Sequence, residues 1–81
     1  MKAKVRIEGN DGHGHYKPGD ELDRDGEHLR QLIVAGLAEP LDDAARALAA
    51  SEDARERYGR PELAAIAREL ADAPAPPGDA A

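Results

Sequence analysis

The chain has 81 residues and a net charge of −6, and it contains no cysteine, phenylalanine or tryptophan. A chain of this length forms one small domain, and without cysteine it holds neither disulfides nor thiolate zinc sites. The acidic balance argues against free nucleic acid as a partner, because a duplex-binding surface needs a basic stripe. No apolar run approaches the ~18 residues of a membrane span, so no membrane partner is expected.

Alanine dominates the apolar composition. Hydrophobic residues make up 41% of the chain, and many of them are alanine. Burying alanine contributes far less than burying leucine or isoleucine. We therefore expect a small core that is supported by contact with other chains.

Residues 2–8 alternate between charged and apolar side chains. This alternation predicts a half-buried β-strand, with Ala3, Val5 and Ile7 on the buried face. The opposite face carries the basic cluster of the chain, which could still face an acidic surface. The basic residues of this cluster are Lys2, Lys4 and Arg6. The dipeptide DG at 11–12 then predicts a hairpin turn.

The segment HYKPGDEL, residues 15–22, predicts a second strand that is interrupted by a turn. Pro18 presets the backbone for the first central position of a type I or II turn. Gly19 accepts the positive φ angle that a type II turn requires. Leu22 then returns to the core side.

The segment 23–41 contains a predicted short helix of roughly three turns at most. Either Asp23 or Asp25 can cap its N-terminus. Gly36 supplies the left-handed residue that ends it, and Leu37 can fold back on Leu32 as in a Schellman motif. The predicted buried face consists of Leu29, Leu32 and Ile33.

The segment LAEPL, residues 37–41, predicts a brief third strand that Pro40 restricts to a sheet edge. Residues 42–58 are rich in alanine and favour helix. Asp42 or Asp43 can cap this region, and a break at Ser51 leaves one helix or two short helices open. The predicted buried stripe comprises Leu41, Ala44, Ala45, Leu48 and Tyr58.

Residues 61–72 predict a further helix, which Pro61 starts at the position that proline prefers. These helices carry few large apolar residues, so their apolar stripes need a partner surface. Either the stripes pack on the N-terminal unit or on each other, or one of them docks on another protein. The candidate partner-binding residues are Leu48, Leu63, Ile66 and Leu70. Residues 73–81 are rich in proline and predict a flexible or extended tail.

His13 and His15 form an H-x-H pair that could grip one metal ion if they share a strand face. A third ligand would come from Asp11, Asp20 or His28. The glycine-rich turn does little to fix ligand geometry, so exposed turn histidines remain the simpler interpretation and no cofactor is expected. Nucleophilic catalysis is not expected either, because the lone Ser51 has no histidine near it in sequence.

The span 5–41 resembles a family of small phage and prophage proteins. The pattern is a basic strand, a glycine-rich turn, a Y-x-PGD element, a helix with LI-x-x-G-L, and an AEP strand. The resemblance implies a virion-associated part, such as a capsid decoration, head-assembly or connector-accessory subunit, and it implies no catalytic residues. The residues that carry it are Tyr16, Pro18, Gly19, Asp20, Leu32, Ile33, Gly36, Leu37, Ala38, Glu39 and Pro40.

Together these patterns predict an α+β fold, in which a two- or three-stranded antiparallel sheet with one packed helix precedes one or two C-terminal helices. The expected organisation is a hairpin and helix unit at 1–41, a helical docking arm at 42–72 and the tail at 73–81. We expect a non-enzymatic virion protein that binds the major capsid or connector protein in many copies. The alternatives are a soluble protein-binding or regulatory module that docks through its last helix, and a metal protein that uses His13 and His15.

Overall fold

A computed structural model describes residues 1–72 of the chain, so the predicted tail at 73–81 lies outside the described residues. The fold is α+β, as predicted: a three-stranded antiparallel sheet, a helix packed against it, and further helices. A separate two-stranded sheet forms the hairpin. In chain order the elements are β1 (Lys2–Val5), β2 (Gly9–Asn10), β3 (His15–Tyr16), β4 (Glu21–Asp23), α1 (Glu27–Ala35), β5 (Ala38–Pro40), α2 (Asp43–Ala50), α3 (Glu52–Tyr58) and α4 (Pro61–Asp72).

Strand β1 lies at the centre of the larger sheet, in the order β4-β1-β5. Ala3 is opposite Leu22 on one side and Pro40 on the other, and both alanine and leucine are buried. Proline lacks an N–H group, so Pro40 suits the edge position of β5, which the sequence predicted. The first strand is shorter than the predicted span 2–8, because the chain bends after Val5 and pairs again only at Gly9.

The turn between β3 and β4 has the predicted form. Gly19 has a φ angle of 96°, and the Asp20 N–H donates to the carbonyl oxygen of Lys17 at 3.0 Å. The Gly19 N–H in turn donates to the carbonyl oxygen of Val5 at 2.8 Å. The turn is therefore hydrogen-bonded to the end of the central strand.

Helix α1 begins differently from the prediction and ends as predicted. Its N-cap is Gly26, with no side-chain hydrogen bond, so the prediction of a cap by Asp23 or Asp25 is wrong. The first aspartate belongs to β4, and the carboxylate of the second pairs with the guanidinium of Arg30.

The C-terminal end of α1 is a Schellman motif. Gly36 has a φ angle of 84°, and its N–H donates to the carbonyl oxygen of Ile33 at 3.1 Å. The Leu37 N–H donates to the carbonyl oxygen of Leu32 at 2.8 Å. These two bonds turn the chain directly from α1 into β5.

The alanine-rich region forms two helices rather than one, because each has its own side-chain cap. The carboxylate of Asp42 accepts the Ala45 N–H at 2.8 Å, and the hydroxyl oxygen of Ser51 accepts the Ala54 N–H at 3.2 Å. The predicted stripe is correct for the fully buried Ala45 and wrong for Ala44, which is exposed. Ala54 of α3 is buried as well, and the predicted stripe did not include it.

One hydrophobic cluster joins the sheet, α1 and the start of α2. Ala45 belongs to it, so the cluster crosses the predicted boundary at residue 41. Leu48, Leu63 and Ala67 of the later helices are partly buried and pack against it. The buried members are Ala3, Val5, Tyr16, Leu22, Leu29, Leu32, Ile33, Leu37, Ala38 and Ala45.

Candidate functional site

The structure does not bring the histidines together in the way that the alternative metal site would require. His13 is exposed, whereas His15 Nε2 lies 2.8 Å from a carboxylate oxygen of Glu8. His28 Nε2 lies 2.9 Å from the hydroxyl oxygen of Tyr16. Within residues 1–72, no group of three or more histidine, aspartate or glutamate side chains is arranged to hold a metal ion.

The two aspartates considered as a third ligand also have partners of their own. Asp11 is an ion-pair partner of Arg24, and its other carboxylate oxygen accepts the His13 N–H at 2.9 Å. Asp20 accepts the Lys17 N–H at 2.9 Å within the turn. The potential ligands thus stabilise the hairpin and its turns locally.

The residues of the Y-x-PGD element occupy structural positions. Tyr16 is 2% exposed, and burial raises the pKa of its hydroxyl. Its ring lies against the backbone of Gly9, where an added Cβ atom would be only 2.5 Å from the hydroxyl oxygen. Pro18, Gly19 and Asp20 form the turn between β3 and β4, and Gly36 ends α1. None of these positions lines either of the two clefts described below.

The basic face of β1 lies between acidic strands. Lys2 is opposite Asp23 in the register, and Lys4 is opposite Glu21 on one neighbour and Glu39 on the other. Lys2 Nζ also lies 4.0 Å from a carboxylate oxygen of Glu21. Acidic residues of both neighbouring strands therefore flank Lys2 and Lys4, so this part of the sheet carries mixed charge rather than a purely basic stripe.

The four candidate partner-binding residues fall into two groups. Leu48 and Leu63 are partly buried against the core. Ile66 and Leu70 are the exposed large hydrophobic residues of the described chain, with 37% and 43% of their surface exposed. They are four positions apart, so they lie one above the other on α4. We call this pair the α4 face.

A cleft that no sequence pattern indicated lies between α1 and α3, with a volume of about 280 Å³. We call it the α1–α3 cleft. Arg30 is one of its lining residues, and its Nη1 donates to the hydroxyl oxygen of Tyr58 at 2.9 Å while its Nη2 donates to Asp25. The guanidinium carbon also lies 5.7 Å from the centre of the Tyr58 ring, a cation–π distance. The lining residues are Arg30, Leu48, Ser51, Asp53, Ala54, Arg57 and Tyr58.

The two arginines of the cleft alter the acidity of Tyr58. The hydrogen bond from Arg30 lowers the pKa of the phenol, and Arg57 acts in the same direction to a smaller extent. The hydrogen bonds with Tyr58 and Asp25 in turn raise the pKa of Arg30. The sequence offered no local signal for this contact, because its two partners are 28 positions apart.

A smaller cleft of about 150 Å³ lies beside the start of α1. His13, Arg24 and His28 line it together with the carboxylate of Asp11. Asp11 and Arg24 form an ion pair with each other, and the carboxylate of Glu27 also lines the cleft. The ion pair joins the hairpin to the segment before α1.

Comparisons with known proteins give no relative: no protein-family model, no curated protein and no solved structure matches the chain. No helix among residues 1–72 has the length and the apolar content to cross a membrane. Any functional proposal for this chain therefore depends on the geometry of the α4 face and of the α1–α3 cleft.

Proposed function

We propose that the chain is a non-enzymatic accessory component of a phage virion, a capsid decoration, head-assembly or connector-accessory subunit. It would bind the major capsid or connector protein through the α4 face and be assembled in the host cytoplasm. The observation that carries the proposal is the exposure of Ile66 and Leu70 on one side of the last described helix. In a chain with so few large apolar residues, two on one exposed helix face favour a docking role.

The positions of the motif residues support the same proposal. Tyr16 is buried, Gly19 and Asp20 turn the chain, and Gly36 ends a helix. Residues at such positions maintain the fold rather than form a reactive centre. The proposed resemblance to small phage proteins would accordingly be one of framework, and none of the motif residues lies on α4.

Two exposed side chains make a weak contact on their own. A lattice that displays the same site many times compensates for this weakness, because each bound copy raises the effective concentration at neighbouring sites. A repeated viral shell is such a lattice, which is why we favour it over a single soluble partner.

An inventory of purified particles tests the proposal. The chain is expected in virions or precursor heads in a fixed ratio to the major capsid or connector protein, measured by quantitative mass spectrometry. Its absence from both kinds of particle, when it is present in the lysate, would rule out a virion role.

The α4 face also favours a second candidate function, a soluble protein-binding or regulatory module that forms one defined complex in the lysate. Ile66→Asp is expected to abolish that complex, because it places a negative charge on the α4 face. Ala64→Asp is the matched control, since it introduces the same charge at an exposed position of the same helix.

Leu63 is unsuitable for this test, because it packs against the core and its replacement would also destabilise the fold. Circular dichroism would verify that both variants keep the helical content of the parent chain. A complex that survives Ile66→Asp, or that Ala64→Asp disrupts equally, would contradict docking through the α4 face.

A further inference from the structure

The α1–α3 cleft has a polar lining whose remaining hydrogen-bonding capacity consists mainly of donors. Tyr58 accepts a hydrogen bond from Arg30 Nη1, so its own O–H proton is available for another acceptor. Ser51 accepts the Ala54 N–H in the same way, which leaves its hydroxyl proton available. The carboxylate of Asp53 is an acceptor in the same lining, whereas a ligand that contacts the two hydroxyl groups must supply acceptors.

The guanidinium groups strengthen this preference. Arg57 is exposed and forms no ion pair within residues 1–72. Arg30 is held in place by Tyr58 and Asp25, and its buried Nε–H has no hydrogen-bond partner among the described residues. A fixed guanidinium and a second one that has no ion pair among the described residues place two cationic donor groups on the same cleft.

The charge of the lining limits what can bind. Arg30 and Arg57 each carry a positive charge, Asp53 carries a negative one, and Asp25 already neutralises Arg30 from outside the lining. These four charges sum to zero, so no net positive charge remains, and a ligand is attracted only locally, by the guanidinium of Arg57. A singly charged carboxylate matches this balance better than a doubly charged phosphate, and the overall charge of −6 disfavours polyanions further.

The remaining wall of the cleft is apolar. Leu48 and Ala54 provide it, and Ala54 is only 6% exposed. A volume of about 280 Å³ accommodates a side chain with part of its neighbour rather than a folded element. The site is thus suited to a carboxylate next to an apolar group.

We propose that the α1–α3 cleft binds an acidic segment of a partner protein, with a glutamate or aspartate carboxylate accepting hydrogen bonds from Arg57, Tyr58 and Ser51. An adjacent apolar side chain would contact Leu48 and Ala54. The site belongs to α1, α2 and α3, whereas the proposed virion contact uses α4. Carboxylate binding is therefore separable from a virion role, and either can fail alone.

The test is a titration of the full 81-residue chain followed by ¹H–¹⁵N NMR. The probe is the blocked dipeptide acetyl-Leu-Glu-amide, and acetyl-Leu-Gln-amide is its uncharged counterpart. Acetate and inorganic phosphate are added separately at constant ionic strength of about 0.1 M, so that screening is the same in every arm. The glutamate peptide is expected to shift the signals of Ser51, Ala54 and Arg57 saturably in the millimolar range.

Two variants test the proposed donors, and a third variant is their control. Arg57→Gln is expected to weaken binding about tenfold, since it removes a charge-assisted hydrogen bond. Tyr58→Phe should weaken it about fivefold, because it removes the phenol O–H donor and also the acceptor that holds Arg30 Nη1, while it keeps the ring. Arg55→Gln is the matched control, because it removes an exposed arginine of the same helix that does not line the cleft, and it should leave the affinity unchanged.

Equal shifts with the glutamate and glutamine peptides, or no saturable shift at these residues, would overturn the proposal. So would an equal loss of affinity in Arg55→Gln and Arg57→Gln, since that result indicates general charge attraction. Tighter binding of phosphate than of acetate at the same signals would overturn the assignment to a carboxylate. Loss of the α4 complex in Ile66→Asp with unchanged peptide binding would separate the two surfaces.

Discussion

Gly36 determines how the chain passes from α1 to β5. Its φ angle of 84° lies in the left-handed region, and an added Cβ atom would meet nothing within 4 Å. Any penalty for a side chain here therefore comes from the backbone alone. Gly9 is the opposite case, since its neighbour Tyr16 leaves no room for a Cβ atom.

Gly36→Ala is expected to lower the free energy of unfolding by about 1–2 kcal/mol, because alanine is strained in the left-handed region. Gly36→Asn should lower it less, since asparagine tolerates this conformation. Urea unfolding followed by circular dichroism measures both changes. An alanine variant as stable as the parent chain would show that α1 ends in another way.

Gly9→Ala is expected to lower the free energy of unfolding by about 1–3 kcal/mol, the usual cost of overpacking. The nearest atom is the hydroxyl oxygen of Tyr16, which would have to leave its position beside His28. Tyr16→Phe removes that atom. A double-mutant cycle by urea unfolding should therefore show that the combined loss is smaller than the sum of the single losses.

At the scale of elements, the two caps Asp42 and Ser51 explain why the alanine-rich region divides into two helices. Both residues have extended backbone angles and accept an N–H from the residue three positions later. Such caps are local, so the sequence indicated both of them. The sequence did not indicate that Gly26 caps α1 without a side chain, because two nearby aspartates are better cap residues by propensity.

The stability of α2 is expected to depend on pH through Asp42. The hydrogen bond from the Ala45 N–H lowers the pKa of this carboxyl below its usual value. A carboxyl with a lowered pKa in the folded state stabilises the protein above its unfolded pKa of about 3.9 and loses that contribution as the pH falls further.

Asp42→Ala should therefore lower the melting temperature at pH near 7, and the difference from the parent chain should shrink as the pH falls below about 4. Asp42→Asn is the matched control, since asparagine caps a helix without a titrating group. Its difference from Asp42→Ala should stay constant with pH. Thermal unfolding monitored by circular dichroism at several pH values provides the comparison.

At the scale of the whole molecule, the sequence predicted the sheet, its packed helix and the later helices because periodicity and turn residues are local signals. It did not determine which side of α4 faces the core, because Leu63, Ile66 and Leu70 fit one stripe equally well. The structure separates them through the packing of Leu63 and Ala67 on the core. The Arg30–Tyr58 contact is equally a product of tertiary packing, and no short pattern encodes it.

The shared core leads to a prediction about cooperativity. Tyr16 reports on the N-terminal unit and Tyr58 on the helical segment, and they are the two tyrosines of the chain. Because Ala45, Leu48 and Leu63 join one cluster with the sheet, both ring signals should lose their native NMR shifts at the same urea concentration. If Tyr58 lost its native NMR shifts at a lower urea concentration than Tyr16, residues 42–72 would instead be a separately folding arm.

The short sheet also has a consequence for crowded conditions. Its outer strands β4 and β5 are three residues long, and β5 ends in Pro40, which has no N–H to offer an incoming strand. On the opposite edge, Glu21 and Asp23 are exposed carboxylates, and the same edge of a second copy would repel them. Neither border serves as a template for strand-by-strand growth. We expect concentrated solutions of this protein to resist fibril formation.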